Sequence, residues 1–224
     1  MFDELLATSG VVEHCELNGS SVGILAIHGG LEAGTYEIAS EVARRSNASL
    51  YSVVQPPDLQ WHVPSHRYLG QHSANLAAFC EHVDIAISIH GYGGVVDHPQ
   101  RWTTCVLGGA RRDLAHSLGV RLSAALGHSY CFISELESIP VSYRGVHPEN
   151  PVNQTRGGGV QIELPPRIRG NSPQWHDAAR NEHGFVSHTE TLVATLAQYA
   201  HDRATLAQQI PRGDFGAIAD AQCR

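Results

Sequence analysis

The chain has 224 residues, of which 42% are hydrophobic and 17% charged, the profile of about one sizeable globular domain. Fifteen basic residues stand against 22 acidic ones for a net charge of −7, and every one of the cations is arginine. The absence of lysine excludes Schiff-base chemistry, a lysine-held pyridoxal cofactor and a Walker-type phosphate loop. An acidic chain without a basic run also fits neither nucleic acid nor an anionic membrane surface.

The elements follow in chain order. Residues 1–10 (MFDELLATSG) carry no cationic region ahead of an apolar stretch, so no signal peptide is expected. Residues 22–28 (VGILAIH) read as a buried strand, 33–45 as a helix, 50–54 as a second strand and 69–82 as a second helix. Residues 84–90 (DIAISIH) and 103–107 predict further strands, and 110–126 a further helix. The stretch 140–159 is rich in Pro, Gly and Asn, and so long an aperiodic segment in a compact domain points to a functional loop. A strand at 160–164 and a long helix at 187–208 complete the pattern. The alternation is that of an α/β domain over 1–210, followed by a tail at 211–224. The five cysteines are widely spaced and form no C-x-x-C, which suits a reducing compartment and a cytoplasmic location. No apolar run reaches the ~18 residues of a membrane-spanning helix.

Fifteen histidines raise the question of metal chemistry. The two most strand-like runs both end in histidine, ILAIHGG at His28 and AISIHGYGG at His90. Ligands of open α/β sheets bind beyond the carboxyl ends of strands, so both imidazoles are expected in one crevice. Glu32, four residues after His28, completes the His₂Glu set of a hydrolytic zinc site with one position open. The alternative is that each histidine merely closes a hydrogen bond at its strand end. Glu163 lies near the end of the apolar run VQIEL, where a carboxylate is costly unless it is paired or used. It is either a general base toward water and the leaving amine or half of a structural Glu–Arg pair. Asn153, Arg156, Arg167 and Arg169 flank it. With Arg111 and Arg112 they are candidates for gripping an acidic substrate, because guanidinium binds carboxylate in a planar fork. Two or three of these arginines are expected to line the cleft.

Four segments, HGGLEAGTYEIA (28–39), HVPSHR (62–67), SIHGYGG (88–94) and NQTRGGGVQIELPPRIR (153–169), carry a resemblance to a known family, with a weaker fifth at 106–119. The chain resembles the zinc-dependent poly-γ-glutamate hydrolases of phages and bacteria, which are related in fold to the zinc carboxypeptidases. The resemblance implies an open mixed β-sheet flanked by helices and one catalytic zinc on His28, Glu32 and His90. It implies Glu163 as general acid/base and an acidic peptide or polyglutamate as substrate, and His62 and His66, both in the matched segment HVPSHR, are candidates to orient that substrate. Carboxypeptidases space their first pair as H-x-x-E, whereas three residues separate His28 from Glu32, which leaves Glu37 as the alternative ligand. The competing readings are a zinc deacylase of N-acyl amino acids and an inactive binding module on the same scaffold.

Overall fold

The computed structural model describes residues 1–93 and 102–209; the expected tail at 211–224 lies outside them. Seven strands form one mixed sheet in the order β1-β3-β2-β4-β7-β5-β6: β1 (Val12–Glu16), β2 (Val22–Gly29), β3 (Ser49–Val54), β4 (Ile85–Gly91), β5 (Thr104–Gly108), β6 (Cys131–Ile133) and β7 (Gly159–Leu164). Strands β3, β2, β4 and β7 run parallel to one another, while β1 and β5 pair antiparallel with β3 and β7. Each parallel step requires a crossover. Helices α2 (Thr35–Ser46) and α3 (Ala74–His82) supply those after β2 and β3, followed by α4 (Arg112–Leu126), the short α5 (Pro151–Gln154) and the long α6 (Ser187–Gln209), with α1 (Phe2–Leu6) preceding the sheet.

Two of the strands had no signal of their own. β1 alternates only weakly and lies at an edge, and β6 is three residues long at the other. The helix expected over 69–82 is divided: a 3-10 turn covers Gly70–His72, and α3 starts after Ser73, whose hydroxyl accepts the Leu76 N–H at 3.0 Å. The aperiodic stretch 140–159 contains α5, capped by the Asn150 side chain.

The sheet is covered on both faces. Val22, Ile24 and Ala26 of β2 pack with α2, α4 and α6 in one core, and Leu25 and Ile27 pack with α1, α3 and the 59–68 segment in the other. The chain leaves β2 toward β3 on one side, while β4 lies on the other. The β2/β4 boundary is therefore a topological switch point, where an open parallel sheet leaves a crevice beyond its strand ends. No helix among the described residues is long and apolar enough to cross a membrane.

Candidate metal centre and active site

His28, His90 and Glu163 occupy the carboxyl ends of three adjacent parallel strands. Register puts His90 directly beside Glu163. His28 reaches them through an irregularity. Strict alternation would turn its side chain into the α2 core with Ala26, but the β2–β3 register slips between Ala26 and Gly29. The ring lies instead against Tyr68, at 5.6 Å between centroids, and its Nε2 donates to the Val63 carbonyl at 2.9 Å. Both residues belong to the opposite core. An extra residue in one strand is the usual way a sheet re-aims a side chain at a site.

Glu32 is brought back over His28 by a tight turn in which its N–H donates to the His28 carbonyl at 2.9 Å. The turn needs glycine at position 30, where φ is +76° and a Cβ would stand 2.0 Å from the Gln55 carbonyl oxygen. One carboxylate oxygen meets His28 Nδ1 at 2.8 Å. The other accepts the Gly91 N–H at 2.8 Å and lies 3.6 Å from His90 Nδ1. Ligand atoms of His28, Glu32 and His90 all fall within 4.8 Å of one another. Glu37, the alternative, is exposed on α2 and outside this group.

The donor set suits a metal. Burial raises the Glu32 carboxyl, but His28 and His90 outweigh it and hold the group far below the usual carboxylate range. Burial likewise lowers His28, and Glu32 outweighs it in the other direction. Both nitrogens of the His28 ring face oxygen atoms, so without a metal only the imidazolium satisfies them. A cation on the Nδ1 side does the same while Nε2–H stays on Val63, the outer hydrogen bond that commonly orients a metal-binding histidine. His90 is 2% exposed, and its Nε2 is buried with no hydrogen-bond partner among the described residues. The nitrogen that faces Glu32 is His90 Nδ1, which is therefore the atom placed to share an ion with it.

Glu163 stands beside this group but outside it. It is 5% exposed, and among the described residues it forms no ion pair within 4.0 Å. Burial pushes its carboxyl up to about 7, with His90 pulling down and Glu32 adding to the rise. Gln161 Nε2 donates to Glu163 Oε1 at 2.9 Å, and Asn150 Nδ2 donates to Gln161 Oε1 at 2.8 Å. The side chain is thus held by a chain of amides rather than by the arginine partner of the structural-pair alternative. A carboxyl poised near neutrality is suited to taking and returning a proton.

A cleft of about 1000 Å³ opens over these residues. Of the arginines expected there, only Arg169 lines it. Arg169 is buried and donates to the carbonyls of Leu164, Ala33 and Tyr92, tying together three of the segments that form the cleft floor. A Cβ at position 91 would lie 2.6 Å from its Cζ, which accounts for the glycine after His90. The others are placed elsewhere. Arg111 pairs with Asp113 and Arg156 with Asp84, both beside the opposite ends of the strands. Arg112 donates to the carbonyls of Gly109, Leu107 and Ser134. Arg167 lies over the Tyr130 ring at 5.6 Å. Asn153 is spent on backbone, accepting from Ala110 N and donating to Gly145 and His147 carbonyls. His66 does line the cleft.

Sequence reasoning passed over Asn150, Gln161, Tyr143 and His147, all of which line the cleft. Gln161 had a signal: with Glu163 it puts two polar side chains on one face of an otherwise apolar strand. The other three come from the 140–159 loop, whose course no periodicity foretells.

Comparison with known proteins agrees with this architecture. Two solved structures share the fold: a bacteriophage poly-gamma-glutamate hydrolase at 20% identity and a TM-score of 0.64, over 89% of this chain and 90% of that one, and a zinc-free apo form of YNDL at 23% and 0.65, over 88% and 91%. A Burkholderia mallei protein assigned as a carboxypeptidase shares it more distantly, at 12% identity and a TM-score of 0.54 over 92% and 66%. The SPbeta prophage-derived protein YoqZ of Bacillus subtilis (strain 168) is 30% identical over 144 residues, 63% of this chain and 47% of that one. The chain thus spans about half the length of the curated protein it matches. The family model for poly-gamma-glutamate hydrolase matches residues 3–191. The chain belongs to the poly-gamma-glutamate hydrolase family.

Proposed function

We propose that this protein is a hydrolase with one zinc, held by His28, Glu32 and His90, that cleaves γ-glutamyl amide bonds in an acidic peptide or polyglutamate, with Glu163 as general acid/base. The observation that carries the reading is the pairing of a compact His–Glu–His group with a buried, unpaired carboxyl held near neutrality, one strand apart. Family membership supports the substrate class.

Zinc in such a set supplies Lewis acidity that polarises an amide carbonyl and makes water easier to deprotonate. The remaining work belongs to the side chains. Gln161 occupies Oε1 of Glu163, which leaves Oε2 as the oxygen that takes a proton from water and returns it to the departing nitrogen. Burial raises this carboxyl above the usual range in the metal-free chain, which favours its keeping a proton long enough to return it to the nitrogen. The Val63 carbonyl fixes the ring plane of His28, and the Gly91 N–H fixes Glu32.

Zinc analysis joined to depolymerisation of poly-γ-glutamate tests the reading. The expected result is about one zinc per chain, as three protein ligands and an open position require, and chain-length loss that stops on chelation and returns with zinc. Cleavage that survives complete removal of metal would contradict it.

A further inference from the structure

The cleft contains a second pair of imidazoles that the metal chemistry does not use. His66 sits on the 3-10 turn Ser65–Arg67 and His147 on the 145–150 loop, with ring centroids 4.8 Å apart. Both line the cleft that holds the His–Glu–His group. Neither has a carboxylate within 4.0 Å among the described residues.

Each backbone is fixed in advance. On the His66 side, the Arg67 N–H donates to Pro64 at 2.8 Å, and the neighbouring Val63 carbonyl is held by His28. On the His147 side, Asn153 Nδ2 donates to the Gly145 and His147 carbonyls at 2.7 and 2.9 Å, and the Asn150 N–H donates to the His147 carbonyl at 3.0 Å. Gly145 has φ of +60°, and a Cβ there would lie 2.6 Å from Gln161 Oε1, so this loop is seated directly on the amide chain that holds Glu163. The Nδ1 atom of His147 accepts the Glu149 N–H at 3.2 Å. A neutral ring so engaged carries its proton on Nε2, which leaves an N–H donor for a ligand.

The chain has a net charge of −7, and the one arginine that lines the cleft among the described residues donates to three backbone carbonyls. Three of its five N–H groups are thereby committed to backbone, so other side chains of the cleft are candidate donors for a substrate carboxylate. We propose that His66 and His147 form a carboxylate-binding subsite that holds the free carboxylate of a glutamyl residue flanking the scissile amide. The proposal rests on the hydrolase reading above and names the residues that select its acidic substrate. Preorganised donors from two separately braced loops lose little freedom on binding, which is what makes such a pair selective.

The test uses His66→Phe, His147→Phe, the double variant, and His147→Gln as the form that keeps an N–H donor. Two readouts are taken: kcat and KM on poly-γ-glutamate with the zinc-loaded protein, and calorimetric binding of a short γ-glutamyl oligomer to the zinc-stripped protein. Loss of a hydrogen bond to a charged group predicts a rise in KM and Kd of roughly tenfold to a hundredfold in the double Phe variant, with kcat little changed. His147→Gln should recover part of the loss. KM and Kd within about twofold of wild type in the double variant would overturn the subsite while leaving the hydrolase reading intact. Loss of a second metal equivalent in the Phe variants would also overturn it, by making the pair a metal site. A wild-type protein that neither binds nor cleaves the polymer overturns the functional reading, and the subsite with it.

Discussion

His90 and Glu163 stand in direct register on the neighbouring parallel strands β4 and β7, one inside the His–Glu–His group and the other just outside it. That one-strand offset separates two jobs. His90 faces Glu32 and can share an ion with it, while Glu163 has its Oε1 held by Gln161 and, among the described residues, no ion pair within 4.0 Å. Parallel pairing also sends both side chains to the same face of the sheet, so the arrangement follows from register alone.

His90→Ala is expected to lose the metal altogether, because two remaining protein ligands do not make a zinc site of useful affinity. Metal content after dialysis, measured beside the wild type, checks this. Zinc retained at full occupancy would mean that His90 is not a ligand.

Arg111→Ala and Arg156→Ala should leave KM on an acidic polymer nearly unchanged, since both side chains lie away from the cleft and pair with Asp113 and Asp84. Exposed pairs of this kind contribute only about 0–1 kcal/mol to stability, so melting should move little as well. A steep rise in KM for either would place substrate far from the cleft described above.

The contrast between these arginines and the His–Glu–His group marks how far the sequence is legible. His28, His90 and Glu163 could be read because each terminates an apolar strand, and strand ends of a parallel sheet converge. Arg156 could not be read in the same way. Its partner Asp84 is 72 positions away, and only the β4–β7 pairing brings the two strand starts together. The side on which His28 projects was equally hidden, because it depends on a register slip against β3 rather than on local pattern. The α/β alternation and the major helices were legible from periodicity and the mixed sheet from the family resemblance, whereas β1 and β6, short edge strands with weak alternation, were not legible.

Gln161→Leu removes the donor on Glu163 Oε1 and breaks the link to Asn150. A carboxylate free to rotate spends less time in the productive orientation, so kcat should fall by roughly tenfold with KM little altered. Steady-state kinetics on zinc-loaded protein provide the split. An effect confined to KM would assign Gln161 to substrate binding instead.

Glu163 also has a signature in stability. In metal-free protein its folded carboxyl titrates at about 7, against an ordinary value of 4.5. Between these values the folded state binds more protons than the unfolded state, so this group makes stability fall as pH rises through that window. Glu163→Gln removes the contribution. The variant should therefore melt close to wild type below the window and above it by a growing margin as pH approaches 7, levelling off beyond. Thermal melts of chelator-treated protein across the range measure the difference, and a margin independent of pH would contradict the raised value.

The most direct measurement compares kcat, zinc content and melting temperature of Glu163→Gln with wild type on a single preparation. The substitution keeps shape and removes the proton acceptor, and a positioned acid/base contributes roughly 10²–10⁴ in rate. The account predicts a fall in kcat of that order with about one zinc retained and KM little changed. A folded, zinc-loaded variant whose kcat falls by less than about tenfold would contradict it, because the proton would then be moved by another group.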